Sequence, residues 1–299
     1  MRSLPRLFLV GIIALAAAGS DAAGQDAAAV RRQWDEFLSS LTWTDGPATI
    51  ALGAIASVEI PAGTRALGQE DARRLLEVMG NASSRELALV STSDIDWIVD
   101  FSFEPIGRVD DGGTLDEEAL LATLREAADG ANAFREMQGL APLGVDGFEI
   151  APTYDRENGI LSWAVRLTGP DGDPVYNYQA RVLGRRGVIV ATFACEPAAF
   201  RAEVERAAAI VGSLRFAEGA RRDDFVPGEP VSGVDLAGLV TGLAHEAPPA
   251  EAPVDEDGAE VGDDDSRKLL VLGIAIAVAV LGAGAWRFGR RGGRASTRS

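Results

Sequence analysis

The chain has 299 residues, 45 acidic and 28 basic side chains, a formal net charge of −17, one histidine and one cysteine. A single cysteine excludes an intramolecular disulfide framework and a thiolate zinc cluster, and His245 alone cannot build a histidine metal site. The acidic balance argues against nucleic acid, whose phosphates need a basic face, and the length allows one large or two modest globular domains.

Met1-Arg2-Ser3-Leu4-Pro5-Arg6 followed by the apolar run Leu7–Ala18 has the charged-then-apolar form of a secretory signal. Small residues that a signal peptidase reads occur at both Ala16-Ala17-Ala18 and Ser20-Asp21-Ala22, and we place the signal peptide at residues 1–22. The run is short beside the ~20 residues of a bilayer span, which favours cleavage over anchoring.

Residues 23–244 read as a mixed α and β body. After a mobile, alanine-rich start, Val30, Trp34, Phe37, Leu38 and Leu41 recur at helical spacing. Ile50 and Leu52, then Ala56, Val58 and Ile60, alternate as strand until Pro61 and Gly63. Glu70–Met79 reads as a short helix stopped by Gly80-Asn81. Trp97, Val99, Phe101 and Phe103 form a period-2 strand with one buried face. Asp94, Asp96, Asp100 and Glu104 fall in the opposite phase, so the expectation is acids to solvent and apolar residues to core. Thr114-Leu115-Asp116-Glu117 reads as a capping box that opens a helix with Leu120, Leu124, Ala127, Ala131 and Phe134 on one stripe, ended by Gly139.

In the second half, Phe148–Ala151, Ile160–Thr168, Val175–Leu183 and Val188–Ala194 read as strands, the last two joined through Gly184-Arg185-Arg186-Gly187 as a hairpin. A helix is predicted from Pro197 to about Val211, and a short strand at Leu214–Phe216. Short connections between successive strands favour antiparallel pairing. The fold class is therefore α+β, a mainly antiparallel sheet with packed helices in the ectodomain.

Residues 245–266 are mostly Ala, Pro, Gly, Asp and Glu with few large apolar side chains, the composition of a disordered acidic stalk. The uncharged run Leu269–Trp286 follows, and at 1.5 Å per residue it covers about 27 Å, enough for one C-terminal transmembrane helix over residues 267–286. Asp263-Asp264-Asp265 precedes it, while Arg287, Arg290, Arg291, Arg294 and Arg298 follow, so residues 287–299 form a basic cytoplasmic tail. Residues 267–299 carry seven basic side chains and no acid, and the leader carries Arg2 and Arg6 against Asp21; removing these leaves −25 on residues 22–266. The stretch 217–266 holds 14 of those acids against Arg221 and Arg222, so much of the exterior acidity belongs to the stalk.

The ordered motifs then become a family pattern. Trp43-Thr44-Asp45-Gly46-Pro47, Leu52-Gly53, Ile60-Pro61-Ala62-Gly63 and Gly80-Asn81 open it. Trp97 with Phe101, Gly107-Arg108-Val109-Asp110-Asp111 and Asn132-Ala133-Phe134-Arg135 continue it. Pro152-Thr153-Tyr154-Asp155, Leu161-Ser162-Trp163-Ala164, Asn177-Tyr178, Leu183-Gly184-Arg185-Arg186-Gly187, Asp224-Phe225-Val226-Pro227-Gly228 and the apolar Leu236–Ala244 complete it. Over about residues 41–244 the chain resembles the bacterial membrane-anchored proteins of domain-of-unknown-function family 2167. The resemblance implies a membrane-anchored envelope protein and brings no activity with it. Arg108 stands where the family has an aromatic, Phe148 where it has a Trp, and the segment before Leu161 lacks the family's His.

Several residues invite chemistry. The acids around Trp97 allow acid–base work only if burial separates their pKa values, and a solvated strand face is the simpler reading. Asp110-Asp111-Gly112-Gly113 lacks the alternating ligands of a calcium loop and reads as a helix lead-in. Asn132 and Arg135, one turn apart, either hold an anionic ligand or clamp the helix to strand carbonyls and Asp155; we favour the clamp. Arg185 and Arg186 at a hairpin tip offer an anion or lipid-headgroup contact, or an ordinary exposed basic turn. Cys195 reads as a small buried side chain ending a strand. We take Asn132, Arg135, Asp155, Trp163, Asn177 and Arg185 as the ligand-binding set, and a pocket lined by Arg135, Asp155, Trp163 and Asn177 is the feature a structure would be read for.

No nucleophile-elbow, P-loop, zincin or dinucleotide fingerprint occurs. We therefore expect no enzyme, no cofactor and no metal. The expected protein sits in the bacterial inner membrane with a single span, its N-terminal domain outside, touching the lipid bilayer through Leu269–Trp286 and binding a ligand or an envelope protein partner. An envelope hydrolase built on Asp110, Asp155 and Arg135 is the alternative.

Overall fold

Strand signals dominate the middle of the chain, and most of them assemble into one large sheet in the computed structural model, which describes residues 20–79, 85–137, 142–169 and 172–242. Helix α1 (Ser20–Ser39) precedes β1 (Trp43–Asp45), β2 (Ala48–Leu52), β3 (Ala56–Ile60) and β4 (Thr64–Gly68). Next come α2 (Gln69–Val78), β5 (Glu86–Thr92), β6 (Trp97–Glu104), β7 (Arg108–Asp110) and α3 (Glu117–Met137). Four longer strands follow: β8 (Gly144–Asp155), β9 (Ile160–Thr168), β10 (Pro174–Leu183) and β11 (Val188–Cys195). After a 3-10 turn at Pro197–Ala199 come α4 (Phe200–Gly212), β12 (Arg215–Phe216), β13 (Val231–Asp235) and α5 (Leu236–Thr241).

The main sheet has eight strands in the order β1-β4-β5-β6-β11-β10-β9-β8, antiparallel at every pairing. A three-stranded sheet, β12-β3-β2, packs over one face, and β7 pairs with β13 in parallel. The architecture is α+β with a mainly antiparallel sheet, as the strand spacing implies. Strand β5 escapes the alternation rule because it is buried on both faces, Glu86 to Ser91 without a break. Strands β7 and β13 are too short and too polar to announce themselves.

On one face, Trp97, Val99, Phe101, Tyr178, Ala180, Ile189, Ala191 and Phe193 form the largest core with α4 and the three-stranded sheet. The rings of Phe193 and Phe200 lie 6.1 Å apart and those of Tyr176 and Phe200 4.5 Å apart, so α4 is anchored through aromatic contact. The opposite face carries two separate apolar clusters. Helices α1 and α2 cover Leu67, Leu89, Ile98 and Ala194. Helices α3 and α5 cover Leu161, Trp163, Val165, Val188 and Val190.

Helix boundaries differ at two places. Helix α1 runs back through the alanine-rich segment where coil is expected, in keeping with alanine's high helix propensity. Helix α3 starts at Glu117, not at a Thr114 cap: Asp116 accepts the Ala119 N–H at 3.1 Å and its carbonyl takes the Leu120 N–H at 2.9 Å. A carboxylate one residue before the helix satisfies the orphan donor and complements the dipole, so the Thr114 box is not used.

Among the described residues no helix is long and apolar enough to cross a membrane. The predicted leader through residue 19, the helix stops at Gly80-Asn81 and Gly139, His245, the stalk, the Leu269–Trp286 span and the basic tail lie outside the described residues.

The β10–β11 hairpin closes through Gly184 N–H donating to the Gly187 carbonyl at 2.9 Å. A Cβ at Gly187 would collide with the Glu104 carbonyl of β6, so glycine is required where the turn meets the neighbouring strand. Gly187→Ala should cost about 1–3 kcal/mol of stability, the range for overpacking. A urea midpoint equal to that of the parent protein would show that the turn has room to spare.

Candidate functional site

In a pleated sheet, residues paired across strands point to the same side. One row of partners runs Trp163, Gln179, Thr192, Asp100 and Leu89 from β9 to β5. The next row runs Leu161, Arg181, Val190, Ser102 and Glu86. These rows lie on the face that α1, α2, α3 and α5 cover, between the two apolar clusters. A polar stripe of Asn177, Gln179, Arg181, Thr192, Asp100, Ser102 and Glu86 therefore crosses the middle of the sheet.

This corrects the expected solvent face of β6. Asp94 and Asp96 are exposed, but Glu104 is buried and Asp100 is largely enclosed. The period-2 pattern correctly separates the two faces of β6; it cannot tell that helices also cover the second one. Glu86 arrives there through a β-bulge: β5 shifts register between Glu86 and Ala88, and Leu87 and Ala88 both pack into the large core. The extra residue turns Glu86 toward the polar side, where it is only 1 % exposed.

The stripe is internally bonded at its β10 end. Gln179 Nε2 donates to Asn177 Oδ1 at 2.9 Å, and Arg181 Nη1 donates to Gln179 Oε1 at 2.9 Å. Thr192 Oγ1 reaches the same Gln179 oxygen at 3.3 Å, and the Arg181 guanidinium sits 5.2 Å from the Trp163 ring centroid. Burial pushes the Arg181 pKa down, and the Glu104 carboxylate partly offsets this. At the β5–β6 end the pattern reverses. Burial, reinforced by the neighbouring Glu86 carboxylate, raises Asp100 to about 8, against a counter-pull from the Phe101 N–H. Asp100 Oδ1 and Glu86 Oε2 receive no hydrogen bond among the described residues.

The six residues singled out from the sequence scatter. Trp163 and Asn177 belong to the stripe on neighbouring strands, Trp163 buried and Asn177 half-buried. Asn132 is a clamp: its amide donates to the Leu143 carbonyl and accepts the Leu143 N–H, both at 2.9 Å, joining α3 to the segment before β8. Arg135 is buried near the end of the same helix, its pKa lowered by that burial. Asp155 is exposed at the far end of β8, where its carboxylate organises the turn to Asn158 and is held below the ordinary range mainly by the Asn158 amide. The expected Asp155 partner of the clamp is thus replaced by Leu143, just before β8, while Asp155 lies at the other end of that strand.

Arg185 is likewise committed to the fold. It forks onto Glu229 with two contacts of 2.7 Å, and Arg186 adds one at 3.0 Å. The Arg185 fork, with the Val226 N–H, draws Glu229 down to about 2. Arg185 therefore is not an exposed anion contact; it ties the hairpin tip to the β13 approach. Cys195 is half-buried, and burial with nearby Glu203 and Glu196 pushes its thiol up to about 12, far from a reactive thiolate.

The hydrolase constellation is also dispersed. Asp110 and Arg135 lie near opposite ends of α3, which at 1.5 Å per residue spans roughly 30 Å. A cleft of about 590 Å³ does open beside the start of α3, lined among others by Asp110, Asp116, Ser232, Asp235 and Thr241. Its carboxylates already serve the backbone: Asp110 accepts the Gly112 N–H, Asp116 caps α3 and Asp235 caps α5. Asp111 is held by Tyr154 at 2.8 Å and Arg222 at 3.0 Å, which makes the Asp110-Asp111 segment a tether. Among the described residues no group of three or more His, Cys, Asp or Glu is placed to hold a metal ion.

The residues that sequence reading missed are Glu86, Ser102, Gln179, Arg181 and Thr192. Their one signal is period 2: Asn177, Gln179 and Arg181 alternate on β10, which by itself reads as a solvent face.

Asp100 makes the stripe sensitive to pH. The folded protein keeps the Asp100 proton up to about pH 8, whereas an unfolded aspartate releases it near 4. Its contribution to stability is full below the unfolded value and is lost as pH rises toward the folded one. Asp100→Asn should therefore unfold several degrees above the parent at pH 8.5 and close to it at pH 5. Melting profiles that run parallel from pH 5 to 8.5 would refute this.

Comparison with known proteins places the chain. No curated protein sequence matches it significantly. Among solved structures, the cyanobacterial PsbP (CyanoP) of Synechocystis sp. PCC 6803 is similar at 9% identity and a TM-score of 0.35, covering 60% of this chain and 93% of that one. Residues 44–247, about two thirds of the sequence, match the family described as "Protein of unknown function (DUF2167)". The chain is a member of that family.

Proposed function

We propose that this protein is a single-pass envelope protein of a bacterial inner membrane, and that its α+β body binds a ligand or protein partner outside the cytoplasm, close to the bilayer. The charge asymmetry about Leu269–Trp286 and the leader-like N-terminus support the topology. One observation carries the binding reading: the polar stripe across the helix-covered face of the main sheet.

Stability alone would place apolar residues there. Desolvating Arg181, Glu104 and Glu86 costs several kcal/mol per charge before compensation, and apolar side chains of similar volume are often as stable or more so. Asp100, Ser102, Asn177, Arg181 and Thr192 keep partial solvent contact, so donors and acceptors line a partly exposed strip between the cluster under α1 and α2 and the cluster under α3 and α5. Such a strip fits recognition of a polar group, with Trp163 and the flanking clusters excluding water around it.

Topology and binding are tested separately. Protease added outside spheroplasts should degrade the body while a fluorescent protein fused after Ser299 stays intact; a protected body would overturn the orientation. For binding, a photo-crosslinking amino acid at Thr192 should capture an adduct in growing cells, and the same group at exposed Arg206 on α4 should not. Identical patterns at both positions, or no adduct at Thr192, would remove the support for binding at the stripe.

A further inference from the structure

The two ends of the stripe differ. At the β10 end, Asn177, Gln179, Arg181 and Thr192 satisfy one another. At the β5–β6 end, two carboxyls share one side of the sheet closely enough for Glu86 to act on Asp100: Glu86 Oε2 and Asp100 Oδ1 are both enclosed and both lack a hydrogen bond among the described residues. Ser102, directly opposite Glu86 and two residues from Asp100, adds a hydroxyl on the same side. Neighbouring strands lie about 4.8 Å apart, so these three groups lie close together on one side of the sheet.

The bulge makes this arrangement informative. Had β5 continued in register, Glu86 would point into the large apolar core with Ala88. One extra residue delivers a carboxylate, 1 % exposed, next to a second carboxyl. Placing two acids together in an enclosed site is unfavourable unless a proton or a cation relieves the repulsion, and leaving buried acceptors unsatisfied costs about 1–3 kcal/mol each. Asp100 and Ser102 retain partial solvent contact, so this cluster can be reached from outside.

We propose that Glu86, Asp100 and Ser102 form a binding site for a primary ammonium group. This rests on the reading of the stripe as a binding surface and names the chemistry of its acidic end. A primary ammonium carries three N–H donors and no acceptor, which matches two carboxylate oxygens and one hydroxyl. A guanidinium is planar and wants both oxygens of one carboxylate, a poorer match for acceptors supplied by two strands. The ammonium replaces the Asp100 proton as the neutralising charge, so binding near pH 7 releases that proton to solvent. The ammonium could belong to a free amine or to a lysine side chain of a peptide.

The test uses the full-length protein in detergent, with 1,4-diaminobutane and an N-acetylated, C-amidated Ala-Lys-Ala peptide as probes and the fully quaternary, permethylated 1,4-bis(trimethylammonio)butane as the control. Calorimetry in buffers of different ionisation enthalpy reads affinity and proton release together. Saturable binding of either probe with release of a proton is expected, and the two arms distinguish a free amine from a peptide lysine. Affinity should fall at least tenfold in Asp100→Asn and in Ser102→Ala, and the permethylated control, which has no N–H, should not bind. Arg206→Ala, on the far side of the sheet, should leave affinity unchanged. Absence of saturable binding by both probes, equal binding of the control, or binding indifferent to both stripe variants would overturn the proposal. If neutral polar compounds bind at the stripe while amines do not, the binding reading stands and the ammonium site falls.

Discussion

The pairing of β6 with β11 is the constraint on which the rest depends. Eight residue pairs, from Trp97 with Cys195 to Glu104 with Val188, join the N-terminal strands to the C-terminal ones in a single sheet. Because side chains alternate, this one register assigns every neighbour to a side. Val99 and Phe101 meet Phe193 and Ala191 in the large core, while Asp100 meets Thr192 on the other face. A slip by one residue would send Asp100 into the aromatic core and Phe101 among the polar groups. The apolar face resists such a slip, since fully burying a large apolar side chain contributes about 1.5–3 kcal/mol. The dense core thus holds the polar stripe in place from behind.

The polar features then divide by what they do. Arg185 with Glu229, Asn132 with Leu143 and Arg222 with Asp111 and Tyr154 are tethers: each joins an end of the main sheet or a covering helix to a loop, and each is satisfied. The carboxylates of the 590 Å³ cleft belong with them, because their oxygens serve turns and helix starts. The β5–β6 end of the stripe instead combines enclosure, like charge and acceptors that receive no hydrogen bond among the described residues. Arg108 and Phe148, the departures from the family pattern, lie elsewhere: the Arg108 guanidinium lies 4.9 Å from the Phe225 ring, and Phe148 packs against the cluster beneath α3.

Much of the fold was legible residue by residue. Ile160–Thr168 and the strands either side of Gly184-Arg185-Arg186-Gly187 show clear β signatures, and the turn between them carries its own glycines. The Trp97–Phe103 alternation identified the core face of β6. The site was much less legible. The sequence singles out Trp163 and Asn177, but in company with Asp155, which lies at the far end of β8. Strand β5 carries no periodic signal, so neither Glu86 nor its bulge is legible, and Asp100 reads as solvent-facing because alternation separates faces without saying what covers them.

By itself, then, the sequence determined local properties: which segments are strand or helix, where chains turn, and how charge is distributed about the C-terminal apolar run. These follow from near-neighbour sterics, capping chemistry and hydrophobic periodicity, all of which act over a few residues. Tertiary structure alone decided that a second layer of helices covers the acidic side of β6, that a bulge in β5 aims Glu86 at Asp100, and that Arg185 belongs to Glu229. Burial, pKa and satisfaction of a polar group depend on what packs against it from distant parts of the chain, and no single strand carries that information.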